Sequence, residues 1–488
     1  MRRISALVAA LLLVGAVVGV PPVAAQAAQP AGSLRCDSTC LSSQFEVSAP
    51  AAADSLSVSQ SATCQGPCHP KRVDLAVLQV VFVNYLVGTF NRFLRNEPFT
   101  YVGPEVWATN IREGFNWDDN NFQTNQFAHP FHGSIYFGAG RANGLDFWES
   151  IPLTAGGSLM WEYLGESHRP AFNDWIATTM GGVALGESFL RLSSLVLNNE
   201  STGRTRALKE IAGALISPMR GFNRLMRGDV SYIGPSDFER DPGFFAIRVD
   251  AGARAIGEGS SLENGQTHGF LSFDFQYGDM FAKDYRKPFD TFRLSIQMNG
   301  RNEQVIGRVQ VEGVLYSSEL TPTTKHLFRV WHNYDYINND ALEFGRNGVT
   351  LGVDSRFPVS DKLEVRTTLG GNVIVLGGIN SEFVGVADRS YDFGPGIGFQ
   401  VAARLLRRGS LFRYLAVGYN VDWIHTVSGA DGEHLAQIAF INSSIPVWGT
   451  LGIGADASVS LRNSYFRKFP DKDTRNPQLR LYLTWWLQ

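Results

Sequence analysis

The feature that most constrains this chain is a two-residue rhythm carried through its C-terminal half. Phe273, Phe275 and Tyr277 alternate with Ser272, Asp274 and Gln276, and Phe292, Leu294, Ile296 and Met298 with Arg293, Ser295 and Gln297. The rhythm returns in Val349, Leu351 and Val353, and again in Leu363 and Val365. Farther on, Leu415, Val417, Tyr419, Val421 and Trp423 oppose Ala416, Gly418, Asn420 and Asp422, and Leu451, Ile453, Val459 and Leu461 oppose Thr450, Asp456, Ser458 and Ser460. Successive side chains of a strand point to opposite faces, so each segment reads as a strand with one oily and one wet face. Strands of soluble sandwiches average only about five or six residues, and several segments here run well past that. About twelve such segments, each of roughly ten residues, suit a membrane barrel, which needs an even strand number. The expected fold is α+β: an N-terminal helical module, then a C-terminal transmembrane antiparallel β-barrel of about 12 strands over 233–488.

The rest of the chain agrees with export. Met1-Arg2-Arg3, the apolar run Ile4 to Val20 and the small residues up to Ala25 read as a signal peptide over 1–25. Beyond it no run offers the ~18 apolar residues of a membrane-crossing helix. The nearest, Leu75 to Val87, is broken by Gln79, Asn84 and Tyr85, so crossing is expected through a closed sheet. The last strand is apolar at Leu479, Leu481, Leu483, Trp485 and Leu487. It resembles the C-terminal signal by which outer-membrane proteins are recognised for insertion, departing at Gln488, where that pattern prefers an aromatic residue. The implied location is the cell outer membrane, with outer-membrane lipid as a partner and a periplasmic N-terminal region. Lys+Arg 43 against Asp+Glu 46 gives a net charge of -3, and without a basic stripe nucleic acid is excluded as a partner.

Residues 26–72 are rich in Ala, Ser, Gln and Pro and read as a flexible tether. All the cysteines fall there, as Cys36, Cys40, Cys64 and Cys68. In an oxidising compartment they are disulfide candidates. A four-thiolate metal site is the alternative, disfavoured because zinc ligands more often sit two apart.

Between 73 and 232 the pattern is helical, with starts at His129-Pro130, Ile151-Pro152 and Arg169-Pro170, since proline is tolerated in a first turn. Asn143-Gly144 should end the first, and Gly182 and Gly186 on the third allow close helix approach. This module holds the unusual polar residues. His129 and His132, Glu162 and Glu166, Asp174 and Glu187 are the candidate catalytic set, because imidazole and carboxylate serve as acid, base or ligand. Against that reading, Arg141, Arg169 and Arg191 stand ready to pair with the carboxylates, Arg191 one turn from Glu187. No Glu-x-x-His pair, His-Glu-x-x-His or Gly-x-Ser-x-Gly motif occurs, so no cofactor or resident metal is expected. On the barrel, the lumen-facing set is Asp274, Arg293, Arg308, Glu312, Arg329, Asp354, Glu364, Arg366, Asp422 and Asp456, a mixture without evident ion preference.

The asparagine-rich lead into His129-Pro130-x-His132-Gly133-Ser134-x-Tyr136, the Arg141-x-Asn143-Gly144 turn, Glu162-x3-Glu166, and Asn173-Asp174 leading to Gly186-Glu187 resemble a bacterial envelope family. That family is known as a domain of unknown function. The resemblance, over about Asn120 to Leu197, implies a recurring module of exported proteins, often ahead of a barrel, and brings no activity with it. Three functions follow as expectations. The leading one is binding or transport of an unidentified solute or lipid, with the helical module plugging the barrel, capping its periplasmic mouth or resting on the inner leaflet. The alternative is an envelope hydrolase using the His/Glu/Asp cluster; a third is a scaffold holding a periplasmic partner.

Overall fold

The structure is a computed structural model that describes residues 69–236, 242–281, 287–300, 305–321, 325–383, 389–408, 410 and 412–487. The signal peptide, most of the tether and the four cysteines lie outside the described residues.

Seven α-helices among the described residues precede the strands: α1 (Val73–Phe90), α2 (Pro104–Glu113), α3 (His129–Ala142), α4 (Phe147–Met160), α5 (Phe172–Val196), α6 (Gly203–Ile216) and α7 (Pro218–Arg227). Helix α3 starts at His129-Pro130 and stops at Asn143, followed by Gly144 at φ +84°, as its sequence signals require. Helix α4 differs from the expectation. It begins at Phe147, not Ile151, because Asp146 and Glu149 form a reciprocal capping box, and Pro152 is absorbed within the helix. Helix α1 runs on through a π-helical turn, Asn91–Arg95. The stretch Val73–Phe93 is long and apolar enough to cross a membrane, which corrects the sequence reading, and only 22% of its most apolar 18 residues is buried.

Twelve strands follow: β1 (Phe245–Glu258), β2 (Ser261–Tyr277), β3 (Phe292–Asn299), β4 (Ile306–Glu319), β5 (His326–Asn339), β6 (Leu342–Pro358), β7 (Leu363–Asn380), β8 (Tyr391–Arg407), β9 (Arg413–His425), β10 (Gly432–Trp448), β11 (Leu451–Phe466) and β12 (Lys472–Leu487). Each pairs antiparallel with its neighbours, and β12 returns to β1 from Ile247↔Leu487 to Ile256↔Gln478, closing a barrel. Closure leaves no strand edge, which is what lets a sheet stand in lipid.

The alternation sorts the wall. Arg346 on β6 bonds Asp422 on β9, and Arg413 on β9 bonds Asp274 on β2; these strands are not neighbours, so the polar set faces inward. The opposite set, including Leu351, Leu369, Val373, Ile397, Val417, Ile441, Ile453, Leu481 and Leu483, is exposed outward. On one side this outward face is not exposed. Tyr277, Phe292, Leu294, Val309, Val311, Tyr334, Tyr336, Leu376, Tyr391 and Phe393 form one buried core with Phe122, Phe137, Phe147, Ala177, Val183 and Leu185 of the helical module.

The helices therefore stand against the outer wall, and the cavity inside the barrel is lined by strand and inter-strand residues alone. This corrects the plug reading: the inward residues are charged and meet each other, while the outward aromatic ones match the apolar helix faces. Helix α5, about 37 Å long at 1.5 Å per residue, runs along this wall. Its first turn lies near the β7–β8 loop, where Arg389 Nη1 donates to the Asp118 carbonyl at 2.8 Å. Its far end lies near the β2–β3 loop, where Arg191 Nη2 donates to the Pro288 carbonyl at 2.9 Å.

Candidate functional site

Two polar sites emerge. The first is the barrel lumen. Nine of the expected inward residues line one cavity of about 300 Å³: Asp274, Arg293, Arg308, Glu312, Arg329, Asp354, Arg366, Asp422 and Asp456. Glu364 lies behind it, accepting from Arg366 Nε at 2.5 Å. Sequence reading missed Arg248, Arg254, Asp335, Arg346, Arg404, Arg413 and Arg480, which line the same cavity. They obey the same alternation, and extending it to every strand would have found them. The complete lining holds ten arginines and six carboxylates. Some guanidiniums are neutralised, such as Arg346 by Asp335 (2.6 Å) and Asp422 (3.1 Å), and Arg329 by Asp354 (2.8 Å). Arg254 and Arg308 form no ion pair within 4 Å among the described residues; each lies in the field of Arg480 and of carboxylates farther off, Asp340 for Arg254 and Asp335, Asp274 and Asp456 for Arg308.

Past this charged zone, Ile256, Ile337, Leu342, Phe344, Ile374, Ile379, Ile424 and Ala436 pack into one buried cluster. They come from β1, β5, β6, β7, β9 and β10, so the cluster reaches across the lumen at the mouth opposite the β1 start and β12 end.

The second site lies in the helical module, at the level of the β7–β8 loop and outside the strands. Two π-helical turns build it: Thr124–Ala128 leads into α3 at His129, and Trp161–Gly165 carries Glu162 at the end of α4. Such turns displace a side chain from the regular helical face and recur at functional sites. Asp174 comes from the first turn of α5. Gly133 and Gly182 bring α3 and α5 together: a Cβ on Gly133 would sit 1.9 Å from the Thr178 carbonyl oxygen.

The result unites His129, Glu162 and Asp174, whose ligand atoms all lie within 4.8 Å of one another. His129 Nε2 is 3.5 Å from Asp174 Oδ2. The far side of each group is held: Thr178 Oγ is 3.4 Å from His129 Nδ1, Asn173 Nδ2 donates to Asp174 Oδ1 at 2.6 Å, and the Ala171 N–H donates to Glu162 Oε2 at 2.8 Å. Glu162 Oε1 is buried without a hydrogen-bond partner. Burial pushes the Glu162 carboxyl up to about 8. Burial also raises Glu166, with the Glu162 charge adding to it, and raises Asp174. His129 is lowered by burial, and His132 is pushed down to about 3 by the same cause.

Of the other expected residues, Glu166 meets Glu162 carboxyl to carboxyl, through its charge and a side-chain hydrogen bond. His132 stands one turn beyond His129 with its ring 4.6 Å from that of Tyr136. Glu187 is placed elsewhere. It is held by Arg141 at 2.7 Å and by Arg191 at 2.9 Å, the second being the one-turn pair that the spacing implied.

The class this geometry defines is a membrane-type β-barrel carrying a helical module on its outer wall. Residues 114–219 match the family model described as "Domain of unknown function (DUF3943)", so that module is fused to the barrel in this chain. No protein of curated function matches. Among solved structures, the "KdgM porin" has a TM-score of 0.23 and 8% identity over 49% of this chain and 98% of its own. The outer membrane channel DcaP of Acinetobacter baumannii has 0.21 and 8% over 50% and 96%. A loop-deletion form of OmpT, an outer membrane protein of Vibrio cholerae, has 0.21 and 9% over 50% and 98%. Scores this low carry no weight for function, and the barrel assignment rests on the chain's own strand register.

Proposed function

We propose that this chain is an outer-membrane barrel that binds and passes an anionic solute through its lumen. The observation that carries the reading is the surplus of guanidinium over carboxylate around the cavity, with Arg254 and Arg308 unpaired. Rings of arginine favour anions because the low-dielectric wall strengthens their attraction. The apolar cluster around Phe344 and Ile424 closes one mouth, so passage requires it to open. In this reading the helical module shares the lipid layer with the barrel rather than filling its bore, because its own far face exposes Val77, Leu78, Val81 and Phe82.

Planar-bilayer recording tests the proposal. The wild-type chain is expected to open rarely and to select anions over cations. Phe344→Ala should raise the open fraction several-fold, and Arg254→Ala with Arg308→Ala should reduce anion selectivity. A silent Phe344→Ala barrel, or one that selects cations, would sink the reading.

A further inference from the structure

We propose that His129, Glu162 and Asp174 hold one divalent transition-metal ion of the zinc class. The site is separate from the lumen and does not depend on the transport reading.

The geometry is that of three ligands already aimed at a common point. Each has its outer atom fixed by a second group, through Thr178, Asn173 and the Ala171 N–H. Metal sites characteristically hold their ligands this way, since the outer partner sets the imidazole tautomer and the carboxylate orientation. What remains facing inward is His129 Nε2, Asp174 Oδ2 and one Glu162 oxygen. The independent sign of a missing ligand is Glu162 Oε1: the residue is 1% exposed, and the group that meets its side chain is a second carboxyl, Glu166, which can satisfy it only by sharing a proton. A buried carboxylate oxygen left in that state costs free energy, which a cation would recover.

Zinc-type bonds of about 2.0–2.1 Å place neighbouring tetrahedral ligands about 3.4 Å apart. The His129 to Asp174 separation of 3.5 Å already meets this, and the widest pair, within 4.8 Å, closes with side-chain adjustment alone. One imidazole with carboxylates suits zinc, cobalt, manganese or ferrous ions. The absence of thiolate from this donor set disfavours cuprous ion, and the imidazole disfavours calcium and magnesium. Glu166 or a water would complete the coordination.

The test uses the full chain folded in detergent, with all four cysteines changed to serine so that thiolates cannot bind, and stripped by a chelator. Cobalt(II) is titrated, followed by its visible absorption and by elemental analysis, and then displaced with zinc. One cobalt ion per chain is expected, with displacement by zinc. Glu162→Gln and Asp174→Asn should each weaken binding by at least about tenfold, while Glu149→Gln, in an exposed pair with Lys71, leaves it unchanged. Glu162→Gln puts a neutral amide of nearly the same shape in place of the carboxyl and is expected to fold; near-ultraviolet circular dichroism checks that, and it decides the matter if Asp174→Asn does not fold. No saturable uptake by the folded parent, or equal uptake by folded Glu162→Gln, overturns the proposal.

Discussion

Gly182 and Gly133 meet backbone to backbone, so that a Cβ on Gly182 would lie 2.5 Å from the Gly133 carbonyl carbon. Neither neighbour can move aside like a flexible side chain, so Gly182→Ala should cost about 1–3 kcal/mol, read as earlier loss of the aromatic near-ultraviolet signal on heating. The same packing buries the acidic cluster, and its protons should report on it. The folded Glu162 keeps its proton to about 8 where a free carboxyl releases it at 4.5. Between those values the folded state binds more protons than the unfolded one, so stability falls as pH rises. His132 acts oppositely, because its folded value of about 3 lies below the free value of 6.5, and stability rises across that window. Above 6.5 the histidine effect is complete and the carboxyl effect is not. The metal-free module should therefore lose stability from about pH 6.5 to 8, with a shallower slope in Glu162→Gln, measured as melting temperature across buffers. Single residues of this cluster were legible as polar oddities in a helical segment. That they could converge was legible too, but which three of the six do so was not, since His129, Glu162 and Asp174 sit on three elements at no motif spacing, and two π-helical turns set their directions.

Among elements, strands were far easier to read than helices. A strand's burial pattern is written in alternate residues, and Leu415 to Trp423 or Leu451 to Leu461 fall in β9 and β11 as their rhythm implies. Helix starts were judged from proline alone, which located α3 and misplaced α4. There Asp146 and Glu149 satisfy the first-turn N–H groups before Pro152 is reached. Asp146→Ala should cost about 1 kcal/mol, visible in chemical unfolding of the module, while Pro152→Ala should stabilise α4 or leave it unchanged. The lumen was legible in kind and not in sign. The residues chosen by eye were four arginines and six carboxylates, and the missed strand positions added six arginines and one carboxylate, turning an acidic set into a cationic lining.

For the molecule as a whole, the sequence order of helices before strands left a plug, a cap and a module resting on the inner leaflet equally open, because it carries no record of which face of the barrel the helices meet. The outward aromatic residues Tyr334 and Tyr336 would meet lipid on a bare barrel, but Gln126, Phe122 and Phe127 lie against them. A cysteine placed at Phe82, in a chain freed of its own cysteines, should resist a membrane-impermeant maleimide in lipid vesicles and react in the unfolded chain. Rapid labelling in vesicles would instead put the module in water. The covered wall also bears on how such a molecule is assembled. His332 and Asn347 share the outward face with Tyr334, and both amide atoms of Asn347 are buried without partners. Such a wall is a poor guest for hydrocarbon when bare, so the helices have to reach it before or while the strands enter the bilayer, and biogenesis becomes a joint insertion of two dissimilar architectures.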